Sequence, residues 1–102
     1  MKKFEQENIN IAVDEYFYSY SNDNALPIDA KRLRTCNAVV FEYDEYYALR
    51  SYNTVVALID KKTHIMYDGL RFVYGYTATS CQHIAKFAKD YGATYTMRYY
   101  PI

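Results

Sequence analysis

Between Glu5 and Tyr20 the apolar residues Ile9, Ala12, Val13, Tyr16, Phe17 and Tyr20 recur at steps of three and four, the spacing of one helical face. The alternation Ile9, Ile11, Val13 would suit a strand, but it fails at Glu15 while the helical spacing persists, so a helix is predicted. Ser21, Asn22, Asp23 and Asn24, all polar turn formers, read as a loop. Pro27 can open a second, short helix, with Asp29 early and Lys31, Arg32 and Arg34 late to complement its dipole, ending near Thr35 to Asn37.

From Ala38 the pattern changes to β-branched and aromatic residues, which predicts strands at 38–43, 46–51 and 54–59. The breaks at Asp44-Glu45 and Tyr52-Asn53 lack the Gly that tight hairpins prefer, and the second leaves open one bent strand in place of two. A polar turn at 60–63 precedes a fourth strand at 64–67, and a fifth is expected at 71–76. A helix follows at about 79–91. Thr79 and Gln82 have capping-box spacing; Cys81, Ile84, Ala85, Phe87, Ala88 and Tyr91 form the apolar side, with Gln82, His83, Lys86, Lys89 and Asp90 outward. Gly92 stops it in the left-handed region, and 94–100 alternates as a closing strand.

This order predicts an α+β fold: N-terminal helices, an antiparallel sheet of about four to six strands, and one capped C-terminal helix packed on one face, with helices segregated to that face. At 102 residues the chain is the size of one domain, with 1–37 as a helical N-terminal segment and 38–102 as sheet plus helix. No apolar run approaches the roughly 20 residues that cross a bilayer, so no membrane contact is expected. Lys2 and Lys3 are not followed by an apolar signal core, and a cytoplasmic location is expected.

Charge adds asymmetry to this outline. Residues 1–48 hold five basic against nine acidic side chains, a net of −4; residues 49–102 hold seven against three, a net of +4. The two halves should attract each other, within one fold or across a homodimer. Two widely spaced cysteines, Cys36 and Cys81, suggest reduced thiols. Cys81 and His83 lack the further ligands at characteristic spacing that a zinc site needs, so no metal is expected. No phosphate-binding glycine motif occurs, so no cofactor is expected either.

Fourteen Tyr and no Trp is the most unusual feature, because Tyr offers a rigid apolar plate with a polar tip. Tyr16, Tyr18 and Tyr20 spread around a helix, so some must be exposed, and exposed Tyr make good partner anchors. With them, Glu42, Asp44, Glu45, Arg50 and Tyr52 are the candidate partner-binding residues. Interleaved cations and Tyr in the second half (Arg50, Arg71, Arg98, Lys86 and Lys89 near Tyr52, Tyr74, Tyr76, Tyr99 and Tyr100) give the alternative, a single-stranded nucleic-acid binder using Tyr and Arg side chains, although the chain lacks excess positive charge. His64 and His83 have no catalytic partner in sequence. No enzyme is predicted.

Two stretches, Leu49-Arg-Ser-Tyr-Asn-Thr-Val-Val-Ala57 and Ala78-Thr-Ser-Cys-Gln-His-Ile-Ala-Lys-Phe87, pair S-Y-x-T-x-V-A with T-x-x-x-H-I-x-x-F. The pairing resembles a small domain family of unknown function carried by phages and mobile elements of Gram-positive bacteria, over about residues 49–92. Ser51, Tyr52, Asn53, Thr54, Thr79 and His83 correspond to its polar motif positions, while Cys81 stands where Thr or Ser is more common. The resemblance implies a phage accessory protein in the bacterial cytoplasm. Such a protein would bind and block a host protein, as an anti-CRISPR blocks a CRISPR effector nuclease.

Overall fold

The computed structural model describes residues 3–23, 25–33, 37–73 and 77–102. Helix α1 (Lys3–Asn22) is followed by strands β1 (Asp29–Arg32), β2 (Ala38–Glu42), β3 (Tyr46–Ser51), β4 (Thr54–Asp60) and β5 (Ile65–Asp68). A short helix α2 (Leu70–Val73), helix α3 (Ala78–Asp90) and strand β6 (Tyr95–Arg98) complete the chain. The fold is α+β. The six strands lie in sequence order, and every neighbouring pair is antiparallel except β5 and β6, which are parallel because α2 and α3 carry the chain across between them. No helix among the described residues is long and apolar enough to cross a membrane.

Strand alternation sorts the core into two clusters on opposite faces. Val40, Leu49, Ala57, Ile59 and Met66 pack with Ile84 and Phe87 of α3 on one face. Tyr46, Ala48 and Leu58 pack with Val13 and Phe17 of α1 on the other. The helices therefore cover both faces of the sheet and are not segregated to one. A register shift between Leu49 and Arg50 leaves Val56 as an extra residue opposite them, and its carbonyl accepts the Gly69 N–H at 2.9 Å. Gly69 lies where α1 meets the sheet: an added Cβ would stand 2.7 Å from the Phe17 ring.

Three predicted elements take another form. The second helix is the edge strand β1, because the Ile28 N–H reaches Glu42 O at 2.7 Å and the Leu33 N–H reaches Ala38 O at 2.8 Å. Pairing with β2 satisfies more backbone than one isolated turn of helix could, and it draws residues 29–32 of the segment expected to be helical into the sheet. The end of that predicted helix, at Thr35 and Cys36, lies outside the described residues. In place of a strand from Arg71, α2 runs from Leu70, whose N–H is accepted by Asp68 Oδ1 at 3.1 Å; residues 74–76 lie outside the described residues. Strands β3 and β4 are separate, joined through Tyr52 and Asn53, with Tyr52 at φ 57° supplying the positive angle that Gly usually provides.

Helix α3 keeps its predicted place but starts differently. Its cap is Thr77, in extended conformation, whose Oγ1 accepts the Ser80 N–H at 3.2 Å. Thr79 has the capping-box spacing with Gln82, but it lies inside the helix, and the extended Thr77 before it is the residue that caps. At the other end Gly92 has φ 71° and Ala93 N–H donates to Ala88 O at 2.9 Å, the six-to-one bond of a Schellman stop.

Candidate binding cleft

Where the end of α1 passes the β2–β3 and β4–β5 turns, the surface opens into a cleft of about 540 Å³. Tyr16 and Tyr20 reach it from the buried stripe of α1, and Tyr46 from the first position of β3. Asp23, Asp44, Glu45 and Asp60 set carboxylates around them, with Lys61 and Lys62 at the β4–β5 turn. Alternation places Tyr46 on the α1 face of the sheet, and a helical step of four brings Tyr16 and Tyr20 over it.

The rings hold one another in place. Tyr16 stacks on Tyr67 at 4.1 Å and meets Tyr46 edge-on at 6.1 Å; Tyr20 meets Tyr46 at 5.6 Å and Tyr43 at 5.9 Å, both edge-on. Such ring pairs contribute about 0.5–1.5 kcal/mol each beyond their buried area. Their hydroxyls are directed outward onto carboxylates: Tyr16 OH donates to Asp60 Oδ2 and Tyr46 OH to Asp23 Oδ2, each at 3.1 Å. Burial, reinforced by Asp60, pushes the Tyr16 hydroxyl far above the ordinary phenol range, and burial with the Asp23 hydrogen bond does the same to Tyr46. These phenols therefore stay neutral donors.

Asp60 is held in the opposite sense. Desolvation works against its charge, but N–H donors from Thr63 and Lys62 and the Tyr16 hydroxyl outweigh it and lower its pKa. Its Oδ1 accepts the Lys62 N–H at 2.8 Å and the Thr63 N–H at 3.0 Å, so the turn itself fixes the carboxylate. Lys61 is already committed, 2.8 Å from Glu42 and 5.0 Å from the centre of the Tyr47 ring. That ion pair joins the acidic half of the chain to the basic half.

Of the eight residues expected to bind a partner, Tyr16, Tyr20, Asp44 and Glu45 meet in this cleft. Glu42 is next to it through Lys61 but on the α3 face, and Tyr18 is 70% exposed on the outer side of α1. Arg50 and Tyr52 lie toward the far end of β3, with the Arg50 guanidinium over the Phe41 ring at 5.2 Å. Asp23, Tyr46 and Asp60 were missed by the sequence reading. The alternation of β3 could have placed Tyr46 beside Tyr16 and Tyr20; nothing local could have placed Asp23 or Asp60 there.

The motif positions form a second concavity. Ser51, Tyr52, Asn53, Thr54 and Thr79 line a hollow of about 570 Å³ with Thr77 and Ser80. His83, expected to face outward, is only 5% exposed; its Nδ1 is hydrogen-bonded to Ser51 Oγ at 2.9 Å, and Ser51 Oγ lies 2.8 Å from Ser80 Oγ. The outward placement failed because Ser51 offers a buried polar partner across from α3. Ala85, expected inward, is exposed. His64 is exposed at the start of β5, far along β4 from this group.

Most of the cations expected to serve nucleic acid are engaged within the fold, while Lys89 is exposed on α3. Arg98 Nε donates to Asp68 Oδ2 at 2.9 Å, Arg71 lies 4.8 Å from the Tyr100 ring centre, and Lys86 is paired with Asp90 at 3.1 Å. Tyr74 and Tyr76 lie outside the described residues. None of the protein-family models, curated proteins or solved structures compared with this chain matches it.

Proposed function

We propose that this protein is a non-catalytic accessory protein that binds a host protein through the tyrosine-walled acidic cleft and blocks it, as an anti-defence inhibitor of the anti-CRISPR kind would. The carrying observation is the cleft: rigid rings at its wall and carboxylates at its rim suit a basic protein surface, such as the nucleic-acid channel of a nuclease. The motif resemblance to phage and mobile-element domains supplies the biological setting, in the cytoplasm of a bacterial host. A non-catalytic role fits the Ser51–His83 contact, which lies between buried side chains and ties β3 to α3.

Affinity capture from a Gram-positive host lysate, run in parallel with wild type and an Asp44→Lys/Glu45→Lys variant, tests this reading. A host protein retained by wild type and lost by the variant is expected, and the purified pair should co-elute as a stoichiometric complex. Separate elution of the purified pair, or equal retention by the variant, would overturn the cleft as the binding surface. Tyr emission should be unchanged by single-stranded oligonucleotides at low salt. Quenching that weakens steeply as salt rises would favour the nucleic-acid reading instead.

A further inference from the structure

The geometry points to a single arginine side chain of the partner protein as the group the cleft receives, its guanidinium against the Tyr16, Tyr20 and Tyr46 wall and its N–H donors on Asp44 and Glu45. This rests on the reading of the cleft as a protein-binding surface and names the chemistry it would select.

Charge comes first. Four carboxylates line the cleft against two ammonium groups, and Lys61 is neutralised by Glu42, so the space favours a cation and repels phosphate or carboxylate. The carboxylates also divide by role. Asp23 and Asp60 are tied down by Tyr hydroxyls and by backbone N–H groups, Asp23 Oδ1 accepting from Ala25 at 2.9 Å. Asp44 and Glu45, at the tip of the β2–β3 turn, have no side-chain hydrogen bond or ion pair among the described residues. They stand available as acceptors over a wall that is already rigid.

Shape and hydration then choose the cation. A guanidinium is planar, weakly hydrated and carries donors in a fork that matches carboxylates, and it lies well against aromatic rings. An ammonium is strongly hydrated and offers a point charge, which gains less from a wall of rings. The cleft has the volume of an ordinary ligand pocket, enough for a whole side chain and the backbone that bears it.

Titration with three capped tripeptides, Gly-Arg-Gly, Gly-Lys-Gly and Gly-citrulline-Gly, followed by NMR of the Tyr ring signals, tests the inference. Citrulline keeps the shape of arginine and removes its charge. The arginine peptide should shift the Tyr16, Tyr20 and Tyr46 signals with an affinity on the order of millimolar, and the other two should bind more weakly by about threefold or more. Asp44→Asn/Glu45→Gln, two turn-tip changes, should weaken the arginine peptide about tenfold. Equal binding of citrulline or lysine, or shifts indifferent to that variant, would overturn arginine selection, as would unmoved ring signals. If the peptides fail while the host complex still depends on Asp44 and Glu45, the surface stands and the arginine assignment falls. If the arginine peptide binds and no host protein depends on those residues, the pocket stands and the inhibitor reading falls.

Discussion

A buried polar side chain is costly unless it is paired, and the Ser51, Ser80 and His83 group is built on that asymmetry. Ser51 and Ser80 are fully buried and His83 nearly so, yet one hydroxyl serves both neighbours and ties β3 to α3. Ser51→Ala should cost about 1–3 kcal/mol, more than its lost volume explains, because it removes a partner from two buried groups at once. Urea denaturation midpoints of Ser51→Ala and of a surface control such as Ser19→Ala would check this; equal midpoints would remove Ser51 as the tie. The sequence showed Ser51 and His83 as motif positions but assigned His83 to solvent, because helical periodicity cannot see a polar group waiting on a strand thirty-two residues away.

At the scale of elements, helix α1 is seated by one small residue and one amide. Phe17 occupies the space that a side chain at Gly69 would fill. Gly69→Ala should force that buried ring aside and destabilise the fold by about 1–3 kcal/mol, read as a lower thermal midpoint. At the other end Asn10 acts as a short strand partner: its Nδ2 donates to Tyr100 O at 2.6 Å and its Oδ1 accepts the Tyr100 N–H at 3.0 Å, while Gln6 Nε2 donates to Arg98 O at 2.9 Å. Asn10→Ala should speed hydrogen exchange at the Tyr100 amide about tenfold while leaving α3 amides protected, because local opening there no longer breaks that bond. The helical stripe of α1 was legible from Ile9, Val13, Tyr16 and Phe17; the contacts of Asn10 and Gly69 were not, since both are set by elements ninety and fifty residues distant.

At the scale of the whole molecule, five tyrosines are held in the neutral state. Tyr16, Tyr20, Tyr46, Tyr67 and Tyr91 all have raised pKa values, with burial the leading cause in each. The unfolded chain loses those protons near the ordinary value of 10.0 while the folded chain keeps them. Their contribution to stability is thus complete below that pH and is lost as pH rises through the folded values. Thermal midpoints should hold up to about pH 10 and then fall steeply, with tyrosinate absorbance appearing together with unfolding. Asp60 has the opposite sign: its lowered pKa contributes stability above the ordinary value of 3.8, lost as pH falls through the folded value. Asp60→Asn should flatten the acid limb of the stability profile and also weaken the alkaline limb, because the Asp60 charge helps to raise the Tyr16 and Tyr67 pKa values.

By itself the sequence determined the local decisions: the apolar stripe of α1, the strand β2, the extended stretches that became β3 and β4, the turn after Asp60, and the Gly92 stop of α3. Each depends on periodicity or backbone preference within a few residues, and those are properties of the chain alone. Tertiary structure decided what depended on a distant partner. Residues 29–32 became a strand because β2 offered an open edge, the helices divided between two faces because both faces of the sheet are apolar, and His83 turned inward because Ser51 stood opposite. The binding cleft is of this second kind. Its tyrosines and carboxylates come from α1 and the residue after it, from the β2–β3 turn and the start of β3, and from the end of β4, and only the folding of the sheet against α1 sets them around one space.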